Sequence, residues 1–393
     1  MPLVTVALFV LAAGLLTSIS LMSGFHLLMA PAILFYLPKY RWKKFPKSGW
    51  ALLFFSLSLV LSVLFNASDF SIPMKSILKT KYYWIGALSI VPFSFYFQEY
   101  LSSERKNKML KELLWTLLVS ASVATVSGLI GYYTGYNPLR MATVSSARNG
   151  GLFGMVMTYG HSIAWLSLGV AALAFQSEKV KHLISLRWLI FFLCIFLFGL
   201  FTSHVRGAWI AFLAGCLVIH RKLTVFGVLL LMVCVGGLSI YRSDFMEQQI
   251  IRRGSNEERL GCWLGAIKAF QEKPVLGWGY LNYEPHSKSI KQKYGLPHPE
   301  FGGHAHNDFL EILATSGVLG GISFLAWIFL WLREIKMRKD LGTSLVTPLW
   351  VAFLVSGLTQ VTFNDGENTF FLMLLYSLSM VLGRESENVS LKG

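Results

Sequence analysis

Apolar residues in this chain arrive in repeated blocks of roughly 17–25, the length of helix needed to cross a bilayer, and that feature bounds every other reading. Twelve blocks are predicted as spans, over about 3–21, 24–38, 50–66, 82–98, 113–135, 151–175, 186–202, 206–220, 223–240, 308–332, 345–363 and 367–383. An even number puts both termini on one side. Hydrophobic residues make up 54% of the 393 and charged residues only 14%, where a soluble core would show amphipathic periods. The expected fold is therefore all-α and polytopic. The first block, from about Leu3 to Leu21, lacks a basic flank and runs straight into the next, which predicts a span and not a cleaved signal peptide.

The net charge of +15 would suit nucleic acid, but its distribution points elsewhere. The basic stretches "KYRWKKFPK" (39–47), "ERKNKMLKE" (104–112), "EKVKHLISLR" (178–187), "RK" (221–222) and "REIKMRKD" (333–340) fall on alternate connections. The connections between them, such as "NASDFS" (66–71) and "NDGEN" (364–368), are poor in Lys and Arg. That is the positive-inside pattern and predicts both termini in the cytoplasm, with no nucleic-acid partner. Cys194, Cys216 and Cys234 lie inside apolar runs and Cys262 stands alone in a loop, so no disulfide framework is expected.

Only one connection is long. It divides the chain into spans over 1–240, a polar loop over 241–307, and further spans with a short tail over 308–393, all within one integral membrane domain. The charge rule puts the loop on the non-cytoplasmic face. A long loop in a compact protein is usually functional. Within it, "GSNEERLGCWLGAIKAFQEKP" (254–274) reads as a helix opened by a Ser255–Glu258 capping box and stopped by Pro274. Leu260, Trp263, Leu264, Ile267 and Phe270 would form its apolar stripe, laid on the bilayer surface or roofing the bundle. In "PVLGWGYLNY" (274–283), Trp278, Tyr280 and Tyr283 could stack on sugar rings or form an ordinary interfacial aromatic belt.

The same face collects cations and imidazoles. "NPLRMATVSSARNGGLFG" (137–154) supplies Arg140 and Arg148, "FTSHVRGAWIAF" (201–212) supplies His204 and Arg206, and the loop supplies Arg259. "GGHAHNDFLEILATSGVLGG" (302–321) adds His304 and His306 at the mouth of an apolar run. Asp308 with Glu311 reads as a capping box for that span, but a cap needs neither histidine. Arginine offers a permanent charge and a planar fork suited to phosphate oxygens, and histidine can take a proton near neutral pH. Beside lipid, the pair suits a lipid phosphate or diphosphate substrate and a base that activates a hydroxyl. Metal binding is the rival for the histidines, with Asp308 and Glu311 as further ligands, although the surrounding arginines would repel a cation.

These residues also fall into motifs. His306-Asn307, nine residues and then "GVLG" (317–320), together with "SHVRGAW" (203–209) and "ERLGCWLGAIKAFQEKPVLGWGY" (258–280), resemble the O-antigen ligase and polymerase superfamily over residues 200–321. The resemblance implies a GT-C-like bundle of about 12 transmembrane helices in the bacterial inner membrane. It implies a metal-independent, cofactor-free inverting glycosyltransferase whose active site faces the periplasm. The donor would be an undecaprenyl-diphosphate-linked glycan and the acceptor a sugar hydroxyl on lipid A–core. Arg206 and Arg259 would hold the diphosphate and His306 would orient or deprotonate the acceptor. His304, Arg140 and Arg148 would play supporting parts in holding phosphate, and Gly317 and Gly320 would let a neighbouring helix approach closely. A polymerase with the same donor is the alternative. A secondary transporter is a third reading, disfavoured because the informative charges lie at one rim and not at the midplane.

Overall fold

The computed structural model describes residues 2–69, 73–225, 253–338 and 340–382. It is an all-α bundle with one two-stranded ribbon. In chain order the helices are α1 (Pro2–Gly14), α2 (Ile19–Tyr36), α3 (Lys47–Phe65), α4 (Pro73–Lys79), α5 (Lys81–Leu88), α6 (Ile90–Ser94), α7 (Ser103–Thr134), α8 (Val156–Phe175), α9 (Ser177–Val180), α10 (Leu186–Ser203) and α11 (Arg206–Ile219). They continue as α12 (Arg253–Glu272), α13 (Tyr283–Lys293), α14 (Asp308–Lys336), α15 (Leu341–Thr359) and α16 (Gly366–Leu382). Strands Tyr136–Asn137 and Ala142–Thr143 pair antiparallel between α7 and α8.

Seven of the described helices are long and apolar enough to cross a membrane, and three shorter ones, α1, α11 and α16, are equally apolar. The protein is a polytopic membrane protein, but twelve spans is not the number that the described residues give. The span expected at 223–240 lies almost wholly outside them, as does Cys234. The first expected span, 3–21, breaks after Gly14, where α1 turns into α2; a Cβ at Gly14 would sit 2.9 Å from the Met22 amide. The span expected at 82–98 is divided into α5, α6 and a π-turn over Phe95–Tyr100. Pro92 lies in this stretch and removes one helical donor.

Helix ends follow local chemistry. Ser102 caps α7 through the Arg105 amide, and Gly135, at φ +76°, ends it. The first amides of α3 have no side-chain cap of their own. The carboxylate of Glu334, from the far end of α14, accepts from the Lys47 amide at 2.7 Å and also binds Ser48. That contact fixes α3 antiparallel to α14, the most extensive helix pair in the bundle. The main core runs through Phe55, Phe324, Trp327, Phe363 and Tyr376. A smaller core in the long connection gathers Ala266, Ala269, Tyr283, Ile290, Ala305 and Ala314.

That second core takes the small residues of α12 and leaves Leu260 and Ile267 of the expected stripe outward, as for a stripe laid on the bilayer surface and not for one roofing the bundle. Leu260 and Ile267 are 48% and 38% exposed, whereas Cys262, Ala266 and Ala269 are buried. Small residues face inward because the neighbours come too close for large ones. A Cβ at Gly261 would strike the Pro297 carbonyl, and one at Gly265 would lie 3.1 Å from the Tyr283 hydroxyl. The helix itself already runs from Arg253, two residues before the start expected at Ser255.

The connection also re-enters the bundle. Gly317 adopts φ +62° inside α14 and breaks its ladder. In an unbroken helix Ala314 and Thr315 carbonyls would accept from Val318 and Leu319. Here the Trp278 and Gly279 amides donate to those carbonyls at 2.8 and 2.9 Å, and Val318 and Leu319 donate to Pro274 and Val275. Four backbone groups freed by the kink are thus satisfied by residues 274–279, as an apolar surrounding requires. Gly317 serves this junction with a loop, not the helix-on-helix approach expected of it; Gly320 lies near Ser58 of α3.

Candidate functional site

The turn between α10 and α11 builds one half of the site. His204 takes φ +52°, a left-handed conformation that reverses the chain within a few residues. Arg148 reaches across from the 136–155 connection and donates to the Ser203 and His204 carbonyls at 3.1 and 3.3 Å, closing the end of α10. Arg206 opens α11 and donates to Asn256 Oδ1 at 3.2 Å, which ties α11 to the first turn of α12. Arg259 lies three residues beyond Asn256, on the same face of α12. Arg148, Arg206 and Arg259 line one small cavity, of about 80 Å³, with His161, His204 and Thr359. Three guanidinium-bearing side chains around so small a space concentrate positive charge of the kind that suits an anion.

The other half is built on the end of α15 and the approach to α14. His306 holds φ +48°, and its Nδ1 lies 2.7 Å from Gln360 Oε1. Gln360 Nε2 lies 3.2 Å from His304 Nε2. The two imidazole rings are 4.3 Å apart between centroids, and His304 Nδ1 is 3.8 Å from the Glu284 carboxylate of α13. Burial, then the charge of His304 and that of Arg259, pull His306 down to about 4, against the opposing pull of Gln360 and Glu284. His306 is therefore neutral at pH 7. Burial also pulls on His304, but Glu284 and Glu311 more than offset it and raise His304 above the ordinary 6.5. Glu284 in turn is held down by His304. Two histidines in ring contact are driven in opposite directions: burial and the charge of its neighbour lower His306, while the carboxylates of Glu284 and Glu311 overcome burial at His304.

The residues around them correct the expected cap. Asn307 is the N-cap of α14 and accepts from the Phe309 and Leu310 amides at 2.9 and 3.1 Å. Asp308 turns away to accept from the Thr362 and Phe363 amides, both at 2.9 Å, and from the Thr362 hydroxyl. Glu311 reaches back past the cap to the Ala305 amide at 2.8 Å. Glu311 thus holds the backbone just before His306, and Asp308 ties the start of α14 to the 362–363 segment. Among the described residues no group of three or more His, Cys, Asp or Glu side chains is placed to share a metal ion.

Of the residues singled out in the sequence, Arg148, Arg206 and Arg259 are brought to one cavity, and His304 and His306 stand in ring contact with each other, with the charge of Arg259 acting on His306. Arg140 does not join them. It is exposed, and its guanidinium donates to the Phe153 carbonyl at 2.9 Å, bracing its own connection. Tyr280 is 1% exposed, with its hydroxyl 3.4 Å from that of Tyr83 inside the bundle, so it offers no ring face to a sugar. Tyr283 is buried in the smaller core, its hydroxyl donating to the Cys262 carbonyl. Trp278 is half-buried, with the Lys273 amine 4.4 Å from its ring centre and His286 packed 5.2 Å away. Gln360 and Glu284 gave no signal in the sequence. Each is an ordinary polar residue in its own segment, and only the packing of α15 and α13 around the 302–307 stretch gives it a place.

Residues 189–325 match the family model for O-antigen ligase, a segment of about a third of the chain. It contains Arg206, Arg259, His304 and His306. This segment is an O-antigen ligase family domain. The family comprises glycan-transferring enzymes of the ligase and polymerase type, and its segment holds both halves of the site, completed from outside by Arg148, His161, Thr359 and Gln360. No curated protein gives a significant match to the sequence.

Proposed function

We propose that the protein is an O-antigen ligase that moves a glycan from an undecaprenyl diphosphate to a sugar hydroxyl of lipid A–core at the periplasmic face of the inner membrane. One observation carries the reading: three arginines line one cavity, and the charge of one of them, Arg259, also acts on His306, a neutral histidine of the same O-antigen ligase family segment. Arg206 and Arg259 hold the donor diphosphate, with Arg148 bracing the turn that presents Arg206. His306 takes the proton of the acceptor hydroxyl as its oxygen attacks the anomeric carbon. The bond from that carbon to the diphosphate oxygen breaks, its electron pair leaves with the diphosphate, and the configuration inverts. The guanidinium charges stabilise the departing diphosphate, so neither a nucleotide nor a metal is needed. Both substrates are anchored in lipid, which suits a site at the rim of a membrane bundle.

The positive-inside pattern supports cytoplasmic termini and a periplasmic site. The polymerase reading shares every step up to the choice of acceptor. Purified protein given undecaprenyl-diphosphate glycan and lipid A–core separates them. Ligation puts glycan on lipid A–core in the presence of chelator. Longer glycan still on the carrier, with lipid A–core untouched, makes the protein a polymerase.

A further inference from the structure

An amide has one end that only accepts and one that only donates. Gln360 sits between His306 Nδ1 and His304 Nε2, at 2.7 and 3.2 Å, so the two nitrogens facing it must be in opposite states. Where one carries a proton, the other offers a lone pair. Turning the amide over exchanges the two roles but cannot make them equal.

The neighbours decide which way it sits. Glu284 lies 3.8 Å from His304 Nδ1 and favours a proton there. A neutral His304 then presents the Nε2 lone pair to the Gln360 NH₂ group. The Gln360 carbonyl is left for His306, which must bring Nδ1–H to it, and His306 Nε2 is bare. Building on the transferase reading, we infer that Glu284, His304 and Gln360 form a tautomer relay that keeps Nε2 of His306 unprotonated as the base, and that switches it off when His304 takes up a proton. A doubly protonated His304 needs the amide carbonyl at its own Nε2. Gln360 then turns its NH₂ to His306 Nδ1, and His306 gives up its Nδ1 proton to solvent and takes one from solvent on Nε2, where it can no longer accept from a hydroxyl. Gln360 is a positioning residue: it acts through His306.

The charged groups packed around the pair are consistent with this order of events. Arg259 from α12 lies on the His306 side, Glu284 from α13 and Glu311 from α14 lie on the His304 side, and α15 contributes only the neutral amide. Protons therefore arrive at His304 first. The acidic limb of activity in the unaltered protein should follow His304, above 6.5, although His306 itself titrates near 4.

Two measurements test the relay. The first needs no substrate: ¹⁵N-histidine-labelled full-length protein in nanodiscs, with the His306 signals assigned by comparison with His306→Asn. At a pH above the His304 titration, the relay requires His306 protonated on Nδ1 and bare on Nε2, exchanging to the reverse as His304 protonates. A proton on His306 Nε2 at both pH values would overturn it. The second is the pH profile of glycan transfer in Gln360→Met and His304→Phe. Cutting the relay should move the acidic limb down by more than about one pH unit, roughly a tenfold change in the active fraction at a fixed acidic pH. A residue that merely props up the site would lower the rate at every pH and leave the limb where it was, and that outcome also overturns the relay. If no acceptor is glycosylated at all, the transferase reading fails, while the spectrum still decides whether the relay exists.

Discussion

The two halves of the site solve different problems with different chemistry. The arginine half carries charge that does not vary with pH, and it is held by the ends of helices: Arg148 on the last carbonyls of α10, Arg206 at the first residue of α11. The histidine half carries charge that does vary, and it is set by side chains from α12, α13, α14 and α15. A diphosphate needs a constant field, so permanent cations on rigid helix ends suffice. A hydroxyl needs a base whose protonation is poised, and poise comes only from a surrounding set of partners.

Substitutions can break that division. The largest effect is expected for His306→Ala, which should lower transfer about a thousandfold through kcat while leaving donor affinity near that of the unaltered protein. Arg206→Ala and Arg259→Ala should each cost about a hundredfold or somewhat more, visible in donor KM as well as kcat. Lysine at either place should recover part of the loss, since it restores a point charge without the planar fork. Equal effects of the histidine and arginine substitutions on donor binding would erase the distinction between the halves.

Gly317→Ala tests the frame that both halves share. The new Cβ would meet the Pro274 and Val275 carbonyls at a backbone φ of +62°. It should destabilise the protein by about 2–3 kcal/mol, read as a lower midpoint of thermal unfolding in detergent. Gly320→Ala, whose Cβ would meet both the hydroxyl and the backbone-fixed Cβ of Ser316, should also destabilise, without the added strain of a left-handed backbone. The smallest effect belongs to Arg140→Ala, within about twofold in rate, because its one strong contact is to the Phe153 carbonyl of its own exposed connection. A large loss there would bring Arg140 back into the donor site.

How much of this was readable beforehand follows the same division. Arg206, Arg259 and His306 shared their residue types with Arg140, Arg148 and His304 on the same face, and it was the motifs at 203–209, 258–280 and 306–320 that set them apart. The membrane bundle itself was visible in the apolar blocks, but the division of 82–98 and the early break at Gly14 were not, since hydropathy is blind to where a ladder of hydrogen bonds stops. Which face of α12 meets the protein was hidden for a related reason. Leu260 and Ile267 mark an apolar stripe by period, yet close approach of the 283–297 segment selects the glycines and alanines for the inner face. Tyr280 is a similar case: the sequence offered an aromatic ring near the rim, and the kink at Gly317 draws that ring into the bundle. Gln360 and Glu284 were invisible. They are separated from His306 by 54 and 22 positions, and nothing in their own segments marks them.

The central claim is that one half binds the leaving diphosphate and the other activates the acceptor. The most direct measurement is donor affinity and transfer rate, side by side, for His306→Ala and Arg206→Ala in nanodiscs, using undecaprenyl-diphosphate glycan with and without lipid A–core. The account predicts that His306→Ala binds the donor as the unaltered protein does and fails to transfer it, whereas Arg206→Ala binds it weakly. Weak donor binding by His306→Ala, with donor held normally by Arg206→Ala, would contradict it.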